Sequence, residues 1–298
     1  MDSSSVSAVV CTYNAMPWIE PCLESLRGLE CIVVDNGSTD GTLALVQKRF
    51  PEAILLEEEN RGLGAGWNAG IARATADYVF LLNADAWVVD DGVERLARFL
   101  DAHPRAGLVG PLLRNPDGSV QRSVRGFPTL WRLATEYFFL RKLAPRSELL
   151  NGFYAGSFRH DGERQVEWVM GAALLARKQA LEEVGGLDED FFLFSEEVDL
   201  AYRLRAAGWE TWFTPAAEVT HVGGASHGGR LFQEQLRGHL RFFAKHRGDA
   251  EAERARTLLC RSLRLRGLLF RGERGRRYRE GAGWLASASV TELLASPR

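Results

Sequence analysis

Carboxylates, amides and one histidine stand where apolar runs of this chain stop, and those are the positions able to do chemistry. Tyr78-Val79-Phe80-Leu81-Leu82 is short enough for a buried strand and ends at Asn83-Ala84-Asp85. A carboxylate released at the carboxyl end of a buried strand lines the crevice in which open α/β sheets bind ligands. Asp85 there can take a divalent cation through oxygen, and the cation a diphosphate; the bland alternative is a polar turn. A second acidic site is Ser195-Glu196-Glu197. Ser195 suits a helix N-cap, which puts both glutamates in the first turn, where the helix dipole favours anions. Val198, Ala201 and Leu204 form the buried side of that helix, so both glutamates are expected at its exposed mouth. Simple charge capping is the favoured account of the pair when it is taken without context. His221 follows an apolar run and precedes glycines, as a structural imidazole or a metal ligand, with His227 peripheral to it. Imidazole suits Mn²⁺ better than Mg²⁺.

These residues need a scaffold, and the apolar pattern describes one. Val6–Cys11, Cys31–Val34 and Ala53–Leu56 read as strands. Helical spacing links them over Trp18–Leu26 (opened by Pro17) and Thr42–Phe50, and Trp67–Ala74 leads into the run that ends at Asn83. Strand–helix alternation predicts a largely parallel sheet with right-handed crossovers. The strands end at Thr12-Tyr13-Asn14, at Asp35-Asn36-Gly37-Ser38 and at Asn60-Arg61-Gly62, so three polar loops gather at one sheet edge. The glycines Gly62-x-Gly64-x-Gly66 do not fit the dinucleotide fingerprint, and no Walker loop is present. They serve either a mononucleotide site or close packing. Without a glycine-rich, Lys-containing loop after the first strand, a nucleotidyltransferase is disfavoured.

A chain of 298 residues, 46% hydrophobic, with a net charge of −2, is globular and makes no global case for nucleic acid. Cys11, Cys22, Cys31 and Cys260 have no metal-like spacing and read as reduced thiols. That usage, with no bilayer-spanning run and no signal pattern, predicts a cytoplasmic protein, soluble or peripheral.

Val9-Val10-Cys11-Thr12-Tyr13-Asn14, Val33-Val34-Asp35-Asn36-Gly37-Ser38-Thr39-Asp40-Gly41, Asn60-Arg61-Gly62…Asn68-Ala69-Gly70 and Leu81-Leu82-Asn83-Ala84-Asp85 together resemble the glycosyltransferase family 2 signature. The resemblance runs from about Val6 to His246. Gly107-Leu108-Val109-Gly110-Pro111 and Asn115-Pro116-Asp117-Gly118-Ser119 are similar to its bacterial rhamnosyltransferase branch. It implies a GT-A fold: an α/β, mostly parallel sheet flanked by helices. Residues 1–246 would form the transferase domain, with a nucleotide-binding half to about 110 and an acceptor half from 111, and residues 247–298 a basic helical extension. By resemblance, Thr12, Tyr13, Asn14, Asp35, Asn36, Arg61, Asn68 and Asn83 serve the donor nucleotide, and Asp85 and His221 bind Mg²⁺ or Mn²⁺. Gly171, Ala172 and Glu196 lie on the acceptor side, where the glycine admits substrate, and Glu197 is the catalytic base. Two departures stand out. Asn83 is an amide where the family's metal motif has its first acid, and Glu196-Glu197 replaces the usual Glu-Asp, which leaves Glu196 a competitor for the base.

The expected reaction is inverting transfer of a sugar, rhamnose from dTDP-rhamnose by resemblance, to a saccharide or polyprenyl-linked acceptor in cell-surface polysaccharide synthesis. A UDP-sugar donor and a catalytically silent nucleotide-sugar or lipid-binding scaffold are the alternatives. Two segments stay open. Phe127, Trp131, Tyr137, Phe138 and Phe139 form either a mobile acceptor loop or a helix packed on the sheet. The tail interleaves Arg261, Arg264, Arg266, Arg271 and Arg274 with Leu258, Leu259, Leu263, Leu265, Leu268, Leu269 and Phe270. That pattern is a membrane-surface helix at the inner face of the cell membrane, or a helix packed on the domain with a solvated basic side.

Overall fold

The computed structural model of the protein describes residues 6–223 and 230–295; His227, Gly224, Ala225 and Ser226 lie outside them. The strands are β1 (Val6–Thr12), β2 (Glu30–Asp35), β3 (Ile54–Glu57), β4 (Tyr78–Asn83), β5 (Ala86–Val88) and β6 (Ala106–Arg114). There follow β7 (Val120–Gln121), β8 (Val124–Arg125), β9 (Arg164–Val166), β10 (Trp168–Val169), β11 (Ala173–Arg177) and β12 (Glu210–His221). Helices α1 (Ile19–Glu24), α2 (Thr42–Arg49), α3 (Leu63–Arg73) and α4 (Gly92–Ala102) alternate with the first strands. Then come α5 (Leu130–Tyr137), α6 (Glu148–Asn151), α7 (Lys178–Glu183) and α8 (Glu196–Ala206), and finally α9 (Arg230–Arg247), α10 (Asp249–Leu269), α11 (Gly272–Ala286) and α12 (Val290–Ala295).

Packing divides the chain into two compact units. One holds the described residues of Met1–Arg125, His160–Phe192 and Glu196–Ser226; the other holds those of Gly126–Arg159, Leu193–Ser195 and His227–Arg298. Thus 126–159 and 230–246, expected from the sequence in the transferase domain, share a unit with the tail.

The first unit is built on a ten-stranded sheet of order β3-β2-β1-β4-β11-β6-β12-β5, with β7 on β6 and β9 on β12. Strands β3, β2, β1 and β4 run parallel, and β11 enters antiparallel between β4 and β6. The central strands are apolar throughout because both faces are covered. Val6, Ala8 and Val10 join Phe80 and Leu82 under α1 and α4, while Val9 faces α3. The parallel register sets Thr12 beside Asp35 and Cys11 beside Asn83, so the polar strand ends meet at one edge.

Helix α3 begins at Leu63, four residues before the expected Trp67, and takes Gly64 and Gly66 into its first turns. Gly66 and, further along the helix, Gly70 are packing residues. A methyl group on Gly66 would overlap Cys11 Sγ, and one on Gly70 would overlap Val9 Cγ1, so only glycine lets α3 lie this close to β1.

In the second unit α9, α10 and α11 pack with α5. The aromatic segment is therefore packed, but on helices: Phe127 stacks on Phe242 with centroids 6.4 Å apart, and Tyr137 meets His239 edge-on. Helix α10 is no free amphipath either. Leu259 and Leu263 are core, and Arg266 is buried, its guanidinium donating to the carbonyls of Tyr137 and Glu136 at 2.7 Å and lying 4.2 Å from the Phe139 ring. Leu265, Leu268 and Leu269 remain outside. No helix among the described residues is long and apolar enough to cross a membrane.

Candidate active site

Two buried oxygens at the ends of β1 and β2 have no hydrogen-bond partner among the described residues: Thr12 Oγ1 and Asp35 Oδ1. Asp35 is 2% exposed, and its other oxygen accepts the backbone N–H groups of Gly37 and Ser38 at 3.1 and 2.8 Å. Such an orphan is costly unless a ligand donates to it. Asn36 is buried, donating Nδ2–H to Cys11 Sγ and to the Gly62 carbonyl. Asn14 accepts Thr39 N–H at 2.8 Å through its side chain and donates its own N–H to Ser38 Oγ, which ties the first loop to the second. Tyr13 is exposed.

Asn68 and Arg61 serve the scaffold. The Asn68 amide donates to Leu187 O and Glu189 Oε1 and accepts Leu187 N–H, all within 3.0 Å. Arg61 pairs with the other Glu189 oxygen at 2.9 Å. Both therefore hold the 187–189 loop, and Glu189, which sequence reasoning passed over, is their common partner.

The acidic pair opens α8, but not as the sequence pattern suggests. Ser195 precedes the helix with φ 73°, in the left-handed region, and not with the extended backbone of an N-cap. Phe194 before it has φ 70°. Two consecutive non-glycine residues in that region mark a segment whose backbone is held against its own preference. Glu196 is 3% exposed instead of lying at an open mouth, and its Oε2 has no partner among the described residues. Burial first, then the charge of Glu197, pushes the Glu196 carboxyl well above the usual carboxylate range. Glu197 is partly buried and lies over Gly171: a methyl group there would stand 3.6 Å from Glu197 Cβ and 3.2 Å from the Trp67 ring. The absence of a side chain at Gly171 lets Glu197 and Trp67 come this close to the backbone. Ala172 is core, and its carbonyl accepts Asn83 N–H at 3.0 Å. The chain between β10 and β11 carries Gly171 and Ala172, and there the end of β4 meets the acidic pair. The Cys11 thiol belongs to the same neighbourhood. Burial, then the charges of Asp35 and Glu196, outweigh the Asn36 hydrogen bond and push it up to about 12.

Asp85 lies in the tight turn between β4 and β5, and β12 ends beside it at His221. His221 Nε2 is 3.4 Å from Asp85 Oδ1. Burial alone would raise the Asp85 carboxyl; the hydrogen bond and charge of His221, aided by backbone N–H groups of Asp85 and Gly223, hold it below its ordinary value. On its other side His221 Nδ1 is 2.7 Å from Gln121 Oε1. An aspartate oxygen and an imidazole nitrogen suit Mn²⁺ or Mg²⁺. Among the described residues no group of three or more His, Cys, Asp or Glu is arranged to hold a metal ion. Gln121 escaped sequence reasoning because it lies 100 residues from the histidine it touches.

Comparison with known proteins gives the family and the fold. The family model for glycosyl transferase family 2 matches residues 7–163. The N-acetylglucosaminyl-diphospho-decaprenol L-rhamnosyltransferase of Mycobacterium tuberculosis is 36% identical over 230 residues, 72% of this chain and 74% of that protein. Among solved structures, the mannosyltransferase PcManGT of Pyrobaculum calidifontis, in complex with GDP-Man and Mn²⁺, superposes with a TM-score of 0.56 at 20% identity, covering 97% of this chain and 78% of that one. GalNAc-T7 with UDP, GalNAc and Mn²⁺ does so with a TM-score of 0.59 at 13% identity, covering 97% of this chain and 56% of that one.

Proposed function

This chain belongs to glycosyltransferase family 2 and has the GT-A fold, and from that premise we propose that it moves rhamnose, with inversion, from dTDP-rhamnose to a saccharide on a polyprenyl diphosphate. The observation that carries the reading is the gathering, in one unit, of an orphaned base-reading carboxylate, a cation-type Asp–His pair and a buried acidic pair. In this reading Asp35 Oδ1 or Thr12 Oγ1, each without a partner among the described residues, receives the N–H of a pyrimidine. Asp85 and His221 would hold a divalent cation, which when bound would supply positive charge to a departing nucleotide diphosphate. Glu197 accepts the proton of the acceptor hydroxyl as that oxygen attacks the anomeric carbon, and no enzyme nucleophile is needed. Burial, then the charge of Glu197, raises the Glu196 carboxyl well above the usual carboxylate range, and the base role is assigned to Glu197. The choice of rhamnose and of a lipid-linked acceptor is supported by the mycobacterial relative.

Transfer itself tests this reading. Purified protein with Mn²⁺, dTDP-rhamnose and polyprenyl-diphospho-N-acetylglucosamine yields a product heavier by one deoxyhexose, seen by mass spectrometry and lost with EDTA. Thymine and uracil offer Asp35 the same N–H, so UDP-sugars run in parallel; a product from those alone replaces the donor assignment. No product and no donor-dependent thermal stabilisation with any nucleotide sugar leaves the scaffold reading.

The lipid-linked acceptor calls for a membrane contact, which we assign to the exposed end of α10. Leu268 is 83% and Leu269 62% exposed, beside exposed Arg261, Arg264 and Arg271. Leucines can enter the headgroup boundary while the arginines meet anionic lipid, each worth about 1 kcal/mol near such a surface and screened by salt. The double variant Leu268→Glu, Leu269→Glu is expected to stop binding to anionic vesicles in sedimentation while keeping the melting temperature of the parent. Undiminished vesicle binding moves the contact elsewhere. Truncation before Leu258 is the wrong test, because it removes the core residues Leu259 and Leu263.

A further inference from the structure

The hairpin Asn115–Gln121, between β6 and β7, is wired more heavily than a surface turn requires. Asn115 N–H donates to Ser119 O, and Gly118 N–H to Asn115 O, both at 2.9 Å. Asn115 Nδ2 donates to Ser119 Oγ, which in turn donates to Asp117 Oδ1. Arg114, at the base of the hairpin, makes a two-pronged pair with Glu218 of β12 at 2.6 and 2.7 Å. The hydrogen bonds end at Gln121, whose amide nitrogen donates to Asn115 Oδ1 at 2.9 Å and to the backbone carbonyl of His221 at 3.4 Å.

That carbonyl can only accept, so it fixes which end of the Gln121 amide is nitrogen. Oε1 then faces His221 Nδ1 at 2.7 Å, and Nδ1 is the nitrogen that carries hydrogen. Nε2, 3.4 Å from Asp85 Oδ1, can donate to that carboxylate when the ring is protonated, and it is the nitrogen that meets a cation once that hydrogen is displaced. Gly223, with φ 66°, closes the arrangement: a methyl group on it would stand 3.4 Å from His221 Cε1 and 3.5 Å from Gln121 Nε2.

From this wiring we propose that Gln121, held by Asn115, is a positioning residue that fixes the tautomer and ring orientation of His221 and presents Nε2 to the cation site. The assignment rests on the metal reading of Asp85 and His221 given above. Outer partners of this kind orient a metal-bound imidazole, and their loss costs about 10- to 100-fold in metal affinity. The Asn-Pro-Asp-Gly-Ser turn thereby holds the far end of the Gln121 amide.

The experiment uses the full chain and Mn²⁺ alone, with free Mn²⁺ measured by electron paramagnetic resonance. Gln121→Ala is expected to weaken Mn²⁺ binding about 10- to 100-fold. Gln121→Glu retains an oxygen acceptor for Nδ1–H and is expected to bind Mn²⁺ as the parent does or more tightly. Asn115→Ala gives a smaller loss than Gln121→Ala. A second readout needs no metal: nitrogen NMR of His221 in the metal-free parent, followed upward in pH until the ring no longer changes, is expected to show hydrogen on Nδ1 at that end-point. Unchanged Mn²⁺ affinity in a folded Gln121→Ala protein, or hydrogen on Nε2 in the parent, overturns the assignment. If the parent itself takes no Mn²⁺, the metal reading falls, and the NMR result still decides what Gln121 does to His221.

Discussion

Replacing Glu197 by Gln is expected to stop sugar transfer while leaving donor binding intact. The amide keeps the shape against Gly171 and Trp67 but cannot take a proton, and loss of a general base costs about 10²–10⁴-fold in rate. Steady-state transfer, paired with thermal shift by the nucleotide sugar, separates the two effects. The neighbour supplies the control. Glu196 is buried, with its carboxyl pushed above the carboxylate range, so it holds its proton while an unfolded chain releases one near the ordinary value of about 4.3. Stability from this group is therefore full below that value and falls as pH rises toward the folded pKa. Glu196→Gln removes the penalty, so the variant should melt higher than the parent at neutral pH and alike in acid. A dead Glu196→Gln beside an active Glu197→Gln would exchange their roles.

The second large effect is expected at Asp85. Asp85→Ala removes the carboxylate of the Asp–His pair, and the amide of Asn83 brings no charge to replace it. Mn²⁺ binding should fall by more than the about 100-fold that bounds the loss of an outer partner, and donor affinity with it. Asp85→Asn, which keeps the size and removes the charge, should behave alike, whereas His221→Ala should cost less because an oxygen ligand remains. Isothermal titration of Mn²⁺ and of donor in its presence reads both quantities. Mn²⁺-stimulated transfer surviving in Asp85→Ala would place the cation on other residues.

Much of this architecture is legible from residue types. Alternating apolar runs and helical spacing predict the parallel β3-β2-β1-β4 half, since strands buried on both faces and amphipathic helices have distinct local patterns. Asp85 and the 196–197 pair are legible because a carboxylate ending an apolar run needs a reason to be there. The assignment of Asn68 and Arg61 to the donor shows the limit. Their amide and guanidinium groups suit a ligand, yet Glu189, more than a hundred residues away, takes them both.

Local sequence by itself determined the strands, their polar ends and the family, because each depends on neighbours within a turn or two. Tertiary packing alone decided which of those polar groups are available. It buried Glu196 and drew Gly171 against Glu197; it committed Asn68 to the 187–189 loop and joined Gln121 to His221 across 100 residues. It also turned α10 so that Leu259, Leu263 and Arg266 face a helical core while Leu268 and Leu269 face outward. The reason is physical: burial and hydrogen-bond partners, which set both the charge of a carboxyl and the tautomer of an imidazole, are properties of the three-dimensional surroundings, and a side chain's identity carries only the capacity for them.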